Sequence, residues 1–195
     1  PGWLIVPVKS LVEGKSRLAG VLSAAERRRL NEKLLAHVVA VARDGNEQLL
    51  VVSGCEETRA FARTLGTIAI DEPHGGGLNS ALAAARDYAL AQGGEHVLIV
   101  SADLPLVTAA ELGRVCAHGD EAVICRDRHG RGTNALYLTR PQGFRFAFGE
   151  GSAAAHQAEA MRCGLEAKTV DIAGIGFDID TPADFAALPN ELQLL

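Results

Sequence analysis

The sequence lacks the features that mark several specialised classes of protein. It has only four cysteines in 195 residues, Cys55, Cys116, Cys125 and Cys163, with no C-x-x-C pair and no clustered histidines. That argues against a disulfide framework or a structural zinc site and for free thiols in a reducing compartment. There is no apolar run long enough to span a bilayer and no charged-then-apolar signal pattern, so a cytoplasmic protein without membrane association is expected. Excess positive charge is missing too: 19 Lys and Arg stand against 24 Asp and Glu, a net charge of −5. A long nucleic-acid footprint needs a basic face, so a nucleic-acid partner is not expected. A small anionic ligand held by a few local cations is still allowed. The chain has no internal repeat, low-complexity tract or composition shift to mark a linker, which predicts one globular domain over residues 1–195. A chain opening on Pro1-Gly2 is expected to have lost its initiator methionine or a little more.

What is present is an alternation of short apolar runs with helix-period segments. Val97 to Val100 is branched and apolar with no polar alternation, the pattern of a strand covered on both faces, and Ser101-Ala-Asp103-Leu-Pro105 follows it. Pro105 stops the ladder, which places Asp103 at the carboxyl end of a central strand, where open α/β sheets bind ligands. Similar runs predict strands at 3–8, 49–53, 67–70, 121–125, 135–139 and 167–171. Ser23-Ala-Ala-Glu26 and Thr108-Ala-Ala-Glu111 are capping boxes that start helices. The first of these helices stops at Asp44-Gly45-Asn46; others span 56–65, about 79–92, and a segment opened by Gly149-Glu-Gly-Ser152. Strand–helix alternation implies crossover connections and a mainly parallel sheet, an α/β fold.

Several loops carry chemistry. Lys9, Lys15 and Arg17 put three cations after the first strand, as phosphoryl transfer requires, although Gly14-Lys-Ser16 lacks the earlier glycine of a P-loop. Three glycines precede Asn79 in Asp71-Glu-Pro-His-Gly-Gly-Gly-Leu-Asn79, a loop that lets backbone approach a ligand or simply turns into a helix capped by Asn79. Free N–H groups at the Ser152 helix start make either an anion site or a plain cap, and His156 stands in the first turn. In Phe177-Asp178-Ile-Asp180-Thr181-Pro182 a strand is expected, with both aspartates on one face and Phe177 and Ile179 on the other, and Thr181 capping a last helix. Two carboxylates so placed repel unless a cation lies between them, and oxygen-only ligands point to magnesium or manganese. Together with Asp103 and the cationic loop, they indicate carboxylate metal binding beside a nucleoside triphosphate.

The chain resembles, over nearly its whole length, the CofC and FbiD guanylyltransferases of the MobA-like nucleotidyltransferase group, which make a precursor of the deazaflavin coenzyme F-420. The resemblance is carried by Val6-Pro-Val-Lys9 with Lys15-Ser-Arg-Leu18, Gly77-Leu-Asn79, Ala102-Asp-Leu-Pro-Leu106, Asp127-Arg-His-Gly130 with Gly132-Thr-Asn-Ala-Leu136, Phe148-Gly149 with Gly151-Ser152 and His156, and Asp178-Ile-Asp-Thr-Pro182. It implies a nucleotide-diphospho-sugar-transferase-like (GT-A, Rossmann-like) fold with a mixed, mainly parallel sheet flanked by helices. By the same resemblance GTP and a small phosphorylated carboxylic acid are the substrates. Asp103, Asp178 and Asp180 hold Mg2+ or Mn2+; Lys9, Lys15 and Arg17 meet the triphosphate; Gly77 and Asn79 lie near the nucleoside; and Thr133, Gly149 and Ser152 form the acid-phosphate pocket. A downstream transferase accepting the product, and a homodimer, are the protein partners it leaves open.

Two departures stand out: Ser101 precedes Ala-Asp where proline or another small residue is expected, and Ala153 to Ala155 replace a bulkier segment. The choice among 2-phospho-L-lactate, phosphoenolpyruvate and 3-phospho-D-glycerate therefore stays open. The competing readings are a relative that loads a nucleotide onto another cofactor or a sugar phosphate, and a nucleotide-binding regulator that has lost the chemistry. Against the first, the loop after strand one is Lys-rich and lacks a Gly-Gly pattern.

Overall fold

A computed structural model describes residues 1–45, 47–73 and 75–193. Asn46, in the predicted helix stop, and His74, in the Gly-rich loop, lie outside the described residues. Seven strands form one sheet: β1 (Gly2–Pro7), β2 (Gln48–Val52), β3 (Ile68–Ile70), β4 (His96–Val100), β5 (Ala122–Arg126), β6 (Thr133–Leu138) and β7 (Ala167–Val170). Their order is β3-β2-β1-β4-β6-β5-β7, which puts β4 in the middle. All neighbours are parallel except β6, which runs antiparallel to both β4 and β5.

The apolar run of β4 explains its place. Leu98 and Val100 enter one core layer and Val97 and Ile99 the other, and all four are at most 1% exposed. Side chains alternate across a strand, so covering both faces requires helices on both sides of the sheet. On one side lie α1 (Ala24–Ala42), α2 (Glu56–Thr64), α4 (Ala109–Cys116) and the short α6 (Ala173–Gly176); on the other lie α3 (Gly77–Ala91) and α5 (Ser152–Arg162). Full burial of each such aliphatic side chain contributes about 1.5–3 kcal/mol, so the middle strand is rigidly held.

Ser23 and Thr108 form the expected capping boxes, and Thr181 forms a third with Asp184 at the start of α7 (Pro182–Ala186). A final turn, α8, covers Asn190–Gln193. Two expectations fail. The helix expected from about Asn79 starts at Gly77 with Gly76 as its cap, so Asn79 sits inside the first turn and does not cap it. The segment 177–180 is extended but joins no strand of the sheet; β7 already occupies that edge, beside β5.

Segment 177–180 is pinned in a different way. Ile179 is fully buried in a third apolar cluster with Leu18, Leu22, Leu30, Leu34 and Leu188, and its N–H donates to the Asp103 carbonyl at 3.3 Å. Sheet order matters for function as well. β1 leads to β2 and β3 on one side, whereas β4 lies on its other side, so the switch point of the sheet falls between β1 and β4. A crevice opens there outside the carboxyl ends of the strands, the place where α/β sheets take their ligands.

Candidate active site

The loop after β1 is not a solvated basic turn. Leu11 is buried and its N–H donates to Thr58 Oγ1 at 3.1 Å, while Asn31 Nδ2 donates to the Leu11 carbonyl at 2.9 Å. Gly14 is required by close approach: a Cβ there would lie 2.7 Å from both Asn31 Nδ2 and the Ser10 carbonyl oxygen. Lys15 adopts φ 60°, the sole positive φ outside glycine among the described residues. Such a backbone persists where the surroundings over-determine it, commonly at functional sites.

Those surroundings are carboxylates. Lys15 Nζ donates to Asp103 Oδ2 at 2.5 Å, to Asp180 Oδ1 at 3.3 Å and to the Ile179 carbonyl. Burial opposes charge on the ammonium, but Asp103 and Asp180 outweigh it and hold the Lys15 pKa above its ordinary value. Asp178 completes the group: oxygens of Asp103, Asp178 and Asp180 all lie within 4.8 Å of one another. Burial, with Asp103 and Asp180 nearby, raises the Asp178 pKa against the opposing hydrogen bond from Asn134. One ammonium among three carboxylates leaves excess negative charge, and an all-oxygen donor set suits a hard divalent cation. The residues therefore fit a metal of that kind.

A cavity of about 610 Å3 runs from this cluster across the switch point. Lys9, Lys15, Arg17, Gly77, Asp103 and Asp180 all line it, together with Glu72. Lys9 and Arg17 are exposed to the cleft and have no carboxylate partner among the described residues. Unpaired cations facing a nucleotide-sized cleft leave room for an anionic ligand. Gly77, at φ 68°, opens α3 with no atom within 4 Å of a hypothetical Cβ.

The remaining expected residues form a second group, outside the lining of that cavity. Asn79 is bound to backbone: its Oδ1 accepts from Phe148 N–H at 2.8 Å and its Nδ2 donates to the Phe148 carbonyl at 3.2 Å. Gly149, the next residue, has φ 132° and is exposed. Ser152 is the first residue of α5, whose cap is Gly151 at φ 72°, so capping by Ser152 does not occur. Its hydroxyl is buried and has no hydrogen-bond partner among the described residues. The expected array of free N–H groups is reduced as well, because Ser152 N–H donates to the Gly149 carbonyl and Ala153 N–H to the Arg131 carbonyl. Thr133 is buried, and its Oγ1 lies 3.0 Å from His156 Nδ1.

Two positioning groups were not identified from the sequence, Asn134 and the Arg128–Asp184 pair. Pairing Cys125 with Ala135 but Arg126 with Thr133 leaves Asn134 unopposed, a bulge at the start of β6. Bulges re-aim side chains. Here Asn134 Nδ2 reaches the Ile175 carbonyl at 2.9 Å and Asp178 Oδ1 at 3.2 Å, while Thr133 meets His156 on the other side. The second is Arg128, which stacks 4.6 Å from the Phe177 ring centre and pairs with Asp184. Asp184 in turn accepts from the Asp180 and Thr181 N–H groups at 2.8 and 2.7 Å, so it fixes the aspartate-bearing turn. Asp184 and Asn134 thus hold Asp180 and Asp178 from two directions.

An open, mostly parallel sheet with a cation-lined, carboxylate-floored cleft at its switch point defines an α/β protein with the nucleotidyltransferase type of fold. A nucleotidyl transferase from Methanothermobacter thermautotrophicus superposes with a TM-score of 0.67 at 16% identity, covering 98% of this chain and 97% of that one. The family model described as "Guanylyl transferase CofC like" matches residues 3–189. A phosphoenolpyruvate guanylyltransferase from Sphaerobacter thermophilus is 42% identical over 188 residues, 94% of this chain and 90% of the relative. A 2-phospho-L-lactate guanylyltransferase from M. thermautotrophicus is 31% identical over 185 residues, 94% of this chain and 82% of the relative. The chain belongs to the CofC-like guanylyl transferase family.

Proposed function

We propose that this protein transfers the guanylyl group of GTP to the phosphate of a small phosphorylated carboxylic acid and releases pyrophosphate, as a step towards coenzyme F-420. The acids considered are phosphoenolpyruvate, 2-phospho-L-lactate and 3-phospho-D-glycerate, the first two being those in the names of the relatives. The observation that carries the reading is the placement of Lys9 and Arg17, without carboxylate partners among the described residues, on one cleft with Asp103 and Asp180, whose carboxylates cluster with that of Asp178. That arrangement suits a triphosphate whose α-phosphorus lies near the carboxylates.

In this reading Lys9, Lys15 and Arg17 bind the triphosphate and offset the charge that accumulates on departing pyrophosphate. Gly77 lets backbone approach the nucleoside, and Glu72, the remaining carboxylate on the cleft, accepts from the donor edge of guanine. Asn79 acts beside them by holding the Phe148 backbone. Thr133, Gly149 and Ser152 receive the phosphate of the acid. An oxygen of that phosphate attacks the α-phosphorus, a P–O–P link forms, and the bond to the β-phosphate breaks. The attacking group needs no general base, because a phosphate monoester with a second pKa of about 6 is already anionic. Asp103, Asp178 and Asp180 would hold magnesium, or manganese in its place, and the chemistry supplied there is Lewis-acid neutralisation of phosphoryl charge.

The test is a matrix of the four nucleoside triphosphates against the three phospho-acids and a sugar phosphate, with magnesium, read as pyrophosphate. Release with GTP that requires a three-carbon phospho-acid is the expected result. Release with a sugar phosphate in its place sinks the proposal.

A further inference from the structure

His156 is fully buried on α5, one turn beyond Ser152. Phe148 packs against its ring with centroids 4.6 Å apart and Phe144 at 6.0 Å. Neither of its nitrogens is idle. Ala147 N–H donates to Nε2 at 3.0 Å, and Nδ1 lies 3.0 Å from Thr133 Oγ1. A backbone N–H can only donate, so Nε2 presents its lone pair and the neutral ring carries its proton on Nδ1. Nδ1–H therefore donates to Thr133, whose hydroxyl is the acceptor in that bond. No other partner of the hydroxyl exists among the described residues, so its own proton is turned away from the ring. The opposite tautomer would set two donors against each other at Ala147 and would spend the Thr133 proton on the ring.

We propose that His156 is a positioning residue: locked as the Nδ1–H tautomer by the Ala147 amide, it fixes Thr133 as an outward hydrogen-bond donor to the phosphate of the acceptor acid. This rests on the reading that places Thr133 in the acid-phosphate pocket. The chemistry is matched, because a phosphate dianion offers only acceptors and a hydroxyl that faces it must donate. Burial drives the His156 pKa down to about 4, with Glu159 opposing, so the ring is neutral at the pH where the phosphate is a dianion.

Two measurements test the proposal. The first is the His156 tautomer in the wild-type protein, read from 15N shifts and long-range couplings of the imidazole at pH 7. The Nδ1–H form is expected, and the Nε2–H form overturns the proposal whatever the activity data say. The second is a double-mutant cycle with phosphoenolpyruvate as probe acid. Thr133→Val and His156→Phe should each raise KM for the acid by about 10- to 100-fold, the loss of a hydrogen bond to a charged group, with KM for GTP unchanged. The double variant should be little worse than either single one, and His156→Gln, whose amide keeps an acceptor and a donor, should recover part of the loss. If Thr133→Val matters and His156→Phe adds in full on top of it, the proposal fails while the pocket stands. No effect of Thr133→Val removes the pocket assignment and the proposal together. Should His156→Phe not fold, the tautomer and the His156→Gln comparison still decide.

Discussion

The buried imidazole of His156 should make this fold weaker in acid. In the native protein the His156 pKa is pushed from 6.5 to about 4, chiefly by burial. Protonation would also put an N–H on Nε2 against the Ala147 N–H that it now accepts from. In the unfolded chain the same group takes up its proton near pH 6.5, so the unfolded state binds more protons between the two values. Its contribution is therefore complete above about pH 6.5, declines as pH falls and is gone by about pH 4; the full gap corresponds to about 3 kcal/mol. Against a total stability of about 5–15 kcal/mol that is readily measured. Urea unfolding of wild type and His156→Phe at fixed points from pH 7 to pH 4 isolates it, because the carboxylates shared by both proteins cancel in the difference. The variant loses stability at pH 7 through an unsatisfied Ala147 N–H, about 1–3 kcal/mol, and the stability difference between the two proteins should shift by about 3 kcal/mol in the variant's favour by pH 4. Parallel curves over that range would refute the assignment of a neutral, buried imidazole.

Asp103→Asn keeps the side-chain shape and a hydrogen-bonding oxygen for Lys15 but removes a charge from the cluster; turnover should fall more than about 100-fold while the thermal unfolding midpoint moves by only a few degrees. Unchanged pyrophosphate release in that variant removes Asp103 from the reaction. Gly14→Ala forces a methyl to 2.7 Å from the Ser10 carbonyl and Asn31, and the displaced loop should raise KM for GTP while costing about 1–3 kcal/mol of stability by urea titration. Asn79→Asp keeps the acceptor for Phe148 N–H and sets a carboxylate against the Phe148 carbonyl, so KM for the acid should rise at least as much as KM for GTP. A rise confined to GTP would mean that Asn79 reads the nucleoside directly.

The parts of the fold that follow from local pattern could be read from the chain. An unbroken apolar run became the middle strand, and Ser-x-x-Glu and Thr-x-x-Glu became capping boxes, because each depends on residues within one turn or one strand. The clustering of Asp103 with Asp178 and Asp180 was legible for another reason: an Asp-x-Asp pair calls for a cation, and the family resemblance puts Asp103 beside it. What holds them was not. The bulge that aims Asn134 at Asp178 is a property of register between two strands, and no single strand encodes it. The extended segment 177–180 has strand-like alternation, yet its buried Ile179 packs on Leu18 and Leu34 and not into the sheet. Asn79 looked like a base contact or a cap because its partner, Phe148, is 69 residues away. The burial of His156, placed only in a first helical turn by its sequence, is hidden for the same reason, since the aromatic wall around it comes from the irregular segment 144–148.

The central claim is a bond, guanylyl phosphorus to acceptor phosphate, and it is best tested on the product. With GTP, magnesium and phosphoenolpyruvate, or the other two acids in turn, the reaction mixture should contain a species with the mass of GMP plus the acid less one water. Its 31P spectrum should show two coupled resonances of a diphosphodiester, appearing in step with pyrophosphate. Pyrophosphate with only GMP and unchanged acid, or GMP joined to a sugar phosphate, would contradict the account.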